Sequence, residues 1–74
     1  MNAKPRNDMN WIGLNITYYR RKKKMKQKEL AAAIPVSNNY MSDIETSKSI
    51  PAVDIIFKIA DILEIPVSKL FEER

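Results

Sequence analysis

Seven of the 13 Lys and Arg side chains fall in nine consecutive positions, Arg20 to Lys28 (RRKKKMKQK). Such a run gathers phosphates or other anions along one face. It also suits the last turn of a helix, where cations complement the macrodipole and stay solvated. A membrane-surface helix fits less well, because it needs an apolar face among the same residues, and only Met25 is apolar between Arg20 and Lys28. The surrounding charge is uneven. Residues 1–37 hold nine basic and two acidic side chains, a sum of +7, and residues 38–74 hold four basic and seven acidic, a sum of −3. A basic half beside an acidic half points to a polyanion addressed from one side.

Other chemistries are closed off by composition. The 74 residues include no Cys and no His. That removes disulfides and redox thiols, the usual structural zinc sites and Ser-His or Cys-His nucleophile pairs. A chain this short rarely encloses a substrate-sized pocket. No catalytic residue, metal ligand or cofactor is therefore assigned, and the chain reads as a non-enzyme. The longest apolar run, Leu30 to Val36, has seven residues, far short of a membrane span. No signal-peptide pattern is visible. A cytoplasmic protein with no membrane partner is expected.

The elements that must position the charges are nearly all helical. Residues 1–8 are polar, contain Pro5 and read as a flexible N-terminal arm. Residues 9–74 read as one compact all-α domain of five helices. In the first helix, Ile12, Ile16 and Tyr19 share a face, and the helix should end near Lys23 or Lys24. Gln27 to Ala33 is a short second helix, ended by Pro35 because the residue before proline avoids the α region. Ser37 is a good N-cap for a third helix from Asn38 to about Glu45. Pro51 introduces a fourth helix from Ala52 to Glu64, with Val53, Ile56, Phe57, Ala60 and Leu63 on one side. Pro66 opens a short fifth helix holding Val67, Leu70 and Phe71. Two short helices separated by a three-to-four-residue break form the helix-turn-helix pattern.

The stretch MKQKELAAAIPVSNNYMSDIE, Met25 to Glu45, resembles the helix-turn-helix of the phage repressor and Cro-like (XRE) family. Gln27, Leu30-Ala31, Val36-Ser37, Tyr40, Ser42 and Ile44-Glu45 match its pattern in register. Arg20 matches a first-helix arginine, and Pro51, Ile59-Ala60, Leu63 and Leu70-Phe71 match its tail. The resemblance covers about residues 12–71 and implies a lambda-repressor-like DNA-binding fold. Four positions where the family often has glycine hold Lys24, Pro35, Ser47 and Glu64 instead. Glycine supplies positive φ cheaply, whereas proline cannot adopt it. The turn around Pro35 should therefore be re-routed, with the second helix ending a residue early. The family's Ser or Thr caps are replaced by Lys26 and Ala52, each missing cap costing ~1 kcal/mol.

The resemblance also implies roles. Asn38 and Asn39 would enter the major groove, where asparagine pairs with adenine N6 and N7; read alone, they are two polar residues near a cap. Asp43, one turn on, would accept from cytosine N4 or exclude wrong sequences by repelling phosphate. Ser37 would also reach bases. Lys26, Gln27, Lys28, Tyr40, Ser42, Lys48 and Ser49 would hold phosphates, contacts that fix position without reading sequence. Gln27 would also buttress the third helix. Arg20 and Glu45 would form a structural ion pair between the first and third helices.

Apolar surface is left over. Trp11, Leu14 and Tyr18 form a second stripe on the first helix, and Ile55 and Ile62 point away from Val53 and Leu63 on the fourth. These five offer a homodimer surface, since helix-turn-helix proteins commonly bind paired half-sites as dimers. The expected function is sequence-specific duplex DNA binding by a transcriptional regulator, as a repressor through occupancy. An antitoxin-like or regulatory protein-interaction module is the alternative, with its protein partner unidentified. RNA binding is a poorer match, because the stacking aromatics of single-strand readers are lacking.

Overall fold

The computed structural model describes residues 9–74, with side chains from Trp11 onward. The arm expected over residues 1–8 lies outside the described residues. Four α-helices follow in order: α1 (Met9–Lys22), α2 (Gln27–Ala33), α3 (Asn38–Glu45) and α4 (Val53–Leu63). The expected fifth helix is a 3₁₀ segment, Val67–Phe71, so the described residues form four α-helices and one 3₁₀ helix. Among the described residues there is no strand, and no helix is long and apolar enough to cross a membrane.

Burial explains the assembly. Ile12 and Ile16 of α1, Leu30 of α2, Met41 and Ile44 of α3, Ile59 of α4 and Leu70 of the 3₁₀ helix are each 1% exposed or less. Each element thus contributes at least one large side chain to a single centre, and each such burial stabilises by about 1.5–3 kcal/mol. On α4 the orientation differs from the expected one. Ile56, Ile59, Ala60 and Leu63 are buried, while Val53 and Phe57 are exposed at 68% and 57%. Ile59, one turn after Ile55 and Ile56, rotates the buried stripe away from Val53 and Phe57.

The chain's one glycine sits in this core. A Cβ on Gly13 would lie 2.5 Å from the Ile44 carbonyl oxygen and 2.8 Å from that of Glu45. Only a hydrogen at this position lets α1 cross the end of α3 backbone to backbone. Asn15, also on the inner side of α1, is fully buried. Its Nδ2 donates to the carbonyls of Leu70 (2.9 Å) and Glu72 (2.8 Å), and its Oδ1 accepts from Arg74 Nε. The side chain is satisfied and ties the chain end to α1.

Three of the four non-glycine substitutions noted above fall at left-handed residues: Lys24 (φ 59), Ser47 (φ 66) and Glu64 (φ 59). Each follows a helix, where a left-handed residue closes the end. Pro35 follows another course. α2 ends at Ala33 as expected, but Ile34 keeps helical torsions (φ −62, ψ −52), against the preference of residues before proline. Its burial and its N–H bond to the Leu30 carbonyl (3.2 Å) hold it there. The Ile34–Pro35 peptide is cis, and the Val36 N–H closes the turn on the Ala31 carbonyl at 2.7 Å.

Candidate nucleic-acid interface

The third helix is divided by its own periodicity. Met41, Ile44 and Glu45 are buried, which fixes the inner face. Asn38 and Asn39 are exposed in the first turn, and Ser42 and Asp43 are half-buried one turn later. The four form a polar ridge along the outer side. Ser37 caps the helix: its Oγ accepts the Tyr40 N–H at 3.0 Å. The cap leaves the Ser37 hydroxyl proton as its donor toward any ligand. Tyr40 is half-buried and packs against the core. At the other end, the Asp43 carbonyl accepts the N–H groups of Lys48 (2.8 Å) and Ser49 (3.1 Å). This folds the following loop back along α3 and sets the exposed Lys48 beside the ridge.

The start of α2 supplies the other flank. Lys26 and Lys28 are exposed and Gln27 is half-buried between them. The expected cap defect at Lys26 is partly made good, because the Glu29 carboxylate accepts the Lys26 N–H at 2.7 Å. Cations thus approach the later part of the ridge from two elements, since Gln27 between Lys26 and Lys28 bonds Glu45 and Lys48 bonds the Asp43 carbonyl. In the basic run, Arg20 pairs with Glu45 and Lys23 with Glu64. Arg21, Lys22, Lys24, Lys26 and Lys28 have no carboxylate partner among the described residues. The Lys23 hydrogen bond, with its charge second, holds the Glu64 carboxyl below the usual carboxylate range.

One buried carboxylate holds the flank to the ridge. Glu45 accepts Arg20 Nε at 2.7 Å on Oε2 and Arg20 Nη2 at 3.0 Å on Oε1. Its Oε1 also accepts Thr17 Oγ1 (3.1 Å) and Gln27 Nε2 (3.2 Å). Arg20 Nη1 donates to the Met25 carbonyl at 2.9 Å. The bidentate pair is nine-tenths buried and satisfied on both sides, as a buried ion pair requires. It links α1, the α1–α2 turn, α2 and the last turn of α3. The Gln27 amide has a second N–H left over, which leaves it free to donate outward.

Sequence reasoning passed over Gly13, Asn15 and Thr17. Asn15 did carry a signal, a polar residue three after Ile12 on the apolar face of α1. Gly13 and Thr17 carried none, since both depend on where the end of α3 lands. Among the residues expected to form a dimer surface, Leu14 and Tyr18 are exposed, Trp11 is half-buried, and Ile55 and Ile62 are half-buried against the core. The exposed apolar cluster on the other side is Ile50, Val53 and Phe57.

Known proteins share this arrangement. A helix-turn-helix family model matches residues 16–70. The ImmF control region 10 kDa protein of Bacillus phage phi105 is 32% identical over 59 residues, or 80% of this chain and 66% of that protein. The chain therefore spans just under two thirds of that relative. The restriction-modification controller protein C.AhdI from Aeromonas hydrophila has a TM-score of 0.80 at 25% identity, over 86% of this chain and 97% of its own. The biofilm master regulator SinR of Bacillus subtilis, solved in complex with DNA, has a TM-score of 0.76 at 31% identity, over 82% of this chain and 98% of its own. A match running from Ile16 of α1 to Leu70 of the 3₁₀ helix takes in all of the buried apolar core but Ile12, as well as α2 and α3, and on that ground the chain belongs to the XRE-type helix-turn-helix family, a family of DNA-binding regulators and not of enzymes.

Proposed function

We propose that the chain binds duplex DNA sequence-specifically as a transcriptional regulator, with α3 in the major groove. The observation that carries this reading is the polar ridge of exposed Asn38 and Asn39 and half-buried Asp43, with exposed Lys26, Lys28 and Lys48 on the two elements bonded to the later part of α3. Amides and a carboxylate match the donor and acceptor pattern of base edges, and flanking lysines match the phosphates on either side of a groove. That SinR was solved in complex with DNA supports the same use of the fold. Ser37, with its hydroxyl proton as donor, joins the base-reading set. Gln27, Tyr40, Ser42 and Ser49 join the three lysines at phosphates. Bound this way the protein represses by occupying its site, and it acts in the cytoplasm where that DNA is.

The same reading includes a homodimer on DNA. Its best-supported surface is the exposed side of α4 with the loop before it, where Ile50, Val53 and Phe57 are 62%, 68% and 57% exposed. Asp54, Lys58 and Asp61 flank them with both signs of charge, which suits a self-complementary interface. The patch also adjoins the Lys48 loop, so a two-fold axis beside it would bring two copies of α3 to neighbouring half-sites. Footprinting on DNA that includes the region upstream of the protein's own coding sequence tests the reading. Protection of paired sites about one duplex turn apart is expected. Uniform weak protection, equal to that on competitor DNA, would refute it.

A further inference from the structure

A second face of the domain shares only Gln27 with the DNA contacts assigned above. Leu14, Tyr18, Arg21 and Lys22 lie at helical spacing along the outer side of α1, and they border a groove of about 800 Å³. Gln27 of α2 and Thr46 at the end of α3 close its far wall. The groove is graded along its length. Its first half is apolar, with Leu14 and Tyr18 exposed at 53% and 43%. Its second half is cationic, with Arg21 and Lys22 exposed and unpaired among the described residues. Lys22 Nζ stands 5.6 Å above the Tyr18 ring, and the Arg74 guanidinium lies 3.8 Å from the same ring. Glu45, the carboxylate lining the groove, is already bonded by Arg20, Thr17 and Gln27.

The geometry points to this groove as the docking site for an acidic amphipathic helix of a partner protein, one whose binding opposes DNA binding. Three features select that occupant. The exposed charge on the groove is of one sign, so a second copy of the same surface is not complementary, in contrast to the mixed charges on α4. DNA would satisfy Arg21 and Lys22 but leave Leu14 and Tyr18 uncovered. Leu14 and Lys22 are also separated by about 12 Å along α1, the distance between an apolar residue and a carboxylate two turns later on a partner helix. Helix-in-groove recognition uses this kind of spaced anchor. Because Gln27 lines the groove and is also assigned a phosphate, an occupant would compete with the DNA backbone there. The competition rests on the DNA-binding reading, whereas the docking does not.

The test uses an alanine-based helical peptide of about 16 residues, long enough to hold some helix in water, with two leucines one turn apart and two glutamates two turns further on. A peptide of the same composition with leucines and glutamates on opposite faces is the control. Amide shifts of the labelled chain should move along Leu14 to Lys22, at Gln27 and at Thr46 with the first peptide only. Leu14→Ala and Arg21→Glu should each weaken binding about tenfold, with Lys28→Glu changing it less than twofold. Duplex DNA should displace the peptide, and Leu14→Ala should leave DNA affinity unchanged. Failure to bind at millimolar peptide, equal binding of the control, or shifts centred on Lys24 to Lys28 would each overturn the proposal. So would a loss of DNA affinity in Leu14→Ala, which would make the groove part of the DNA face. A chain that binds the peptide but no DNA would overturn the competition alone.

Discussion

Replacing Gly13 by alanine probes the contact on which the position of α3 depends. The added Cβ would fall about 0.9 Å inside ordinary van der Waals contact with the Ile44 carbonyl oxygen and about 0.6 Å inside it for that of Glu45. Both obstructing atoms are backbone in the last turn of α3, so no side-chain rotation relieves them. The Ile44 carbonyl also accepts the Ser47 N–H at 3.1 Å, which ties it to the following loop. Overpacking of a rigid site costs typically 1–3 kcal/mol, and this site belongs at the upper end. Alanine returns about 1 kcal/mol of helix propensity over glycine. The net expectation is a loss of about 2 kcal/mol, or a fall in Tm of roughly 8–16 °C for a domain of this size. The same displacement would pull Arg20 and Thr17 away from Glu45, so DNA affinity should fall even at temperatures where the variant is folded. Urea unfolding followed by circular dichroism gives the first quantity and fluorescence anisotropy with duplex DNA the second. A variant as stable as the parent, or more so, would refute the close crossing of α1 and α3.

The other predictions concern separate parts of the molecule. Glu45→Ala strands the buried Arg20 guanidinium and should cost about 3–5 kcal/mol, read as a lower urea midpoint; an unchanged midpoint would show that the pair is not formed. Ser47→Gly relieves a left-handed residue whose side chain is exposed. A left-handed L-residue costs roughly 1–2 kcal/mol and glycine's greater unfolded-state freedom offsets part of that, so a gain of about 0.5–1 kcal/mol is expected and unchanged or lower stability would count against the assigned torsions. The Glu64 carboxyl is lower in pKa when folded than when unfolded. Its contribution is therefore present above the ordinary carboxylate value and is lost as pH falls through the lowered folded value. Side-chain NMR titration should show Glu64 returning to the ordinary range in Lys23→Met, and an unchanged titration would refute the pairing.

Local patterns made most of the fold legible. Ser37 as a cap and the formers in QKELAAA marked α2 and α3, because a cap and a propensity are properties of a few adjacent residues. The left-handed residues at Lys24, Ser47 and Glu64 were legible through the family pattern alone, since nothing in their own types favours positive φ. The rotation of α4 was not legible. Its residues are apolar on most sides, and Ile59 against Phe57 is decided by what α1, α2 and the 3₁₀ helix bring to the centre. Ile34 departs from expectation for the same reason, because its burial and helical hydrogen bond outweigh the local preference before Pro35. At the site, the exposed amides and lysines could be named from the sequence. The web on Glu45 through Thr17 and Gln27 depends on three helices meeting, and the need for Gly13 on the crossing of α1 and α3.

The central claim is that bases are read from the first turns of α3 and phosphates are held from the start of α2 and the Lys48 loop. It is tested most directly by comparing Asn39→Ala with Lys48→Ala on a randomised duplex library across a range of salt concentrations. Lys48→Ala should weaken all sequences about equally and reduce the salt slope by roughly one unit, while Asn39→Ala should change the selected sequence and leave the slope near that of the parent. If both variants lower affinity in the same sequence-independent way, or the parent selects no sequence at all, the account is wrong.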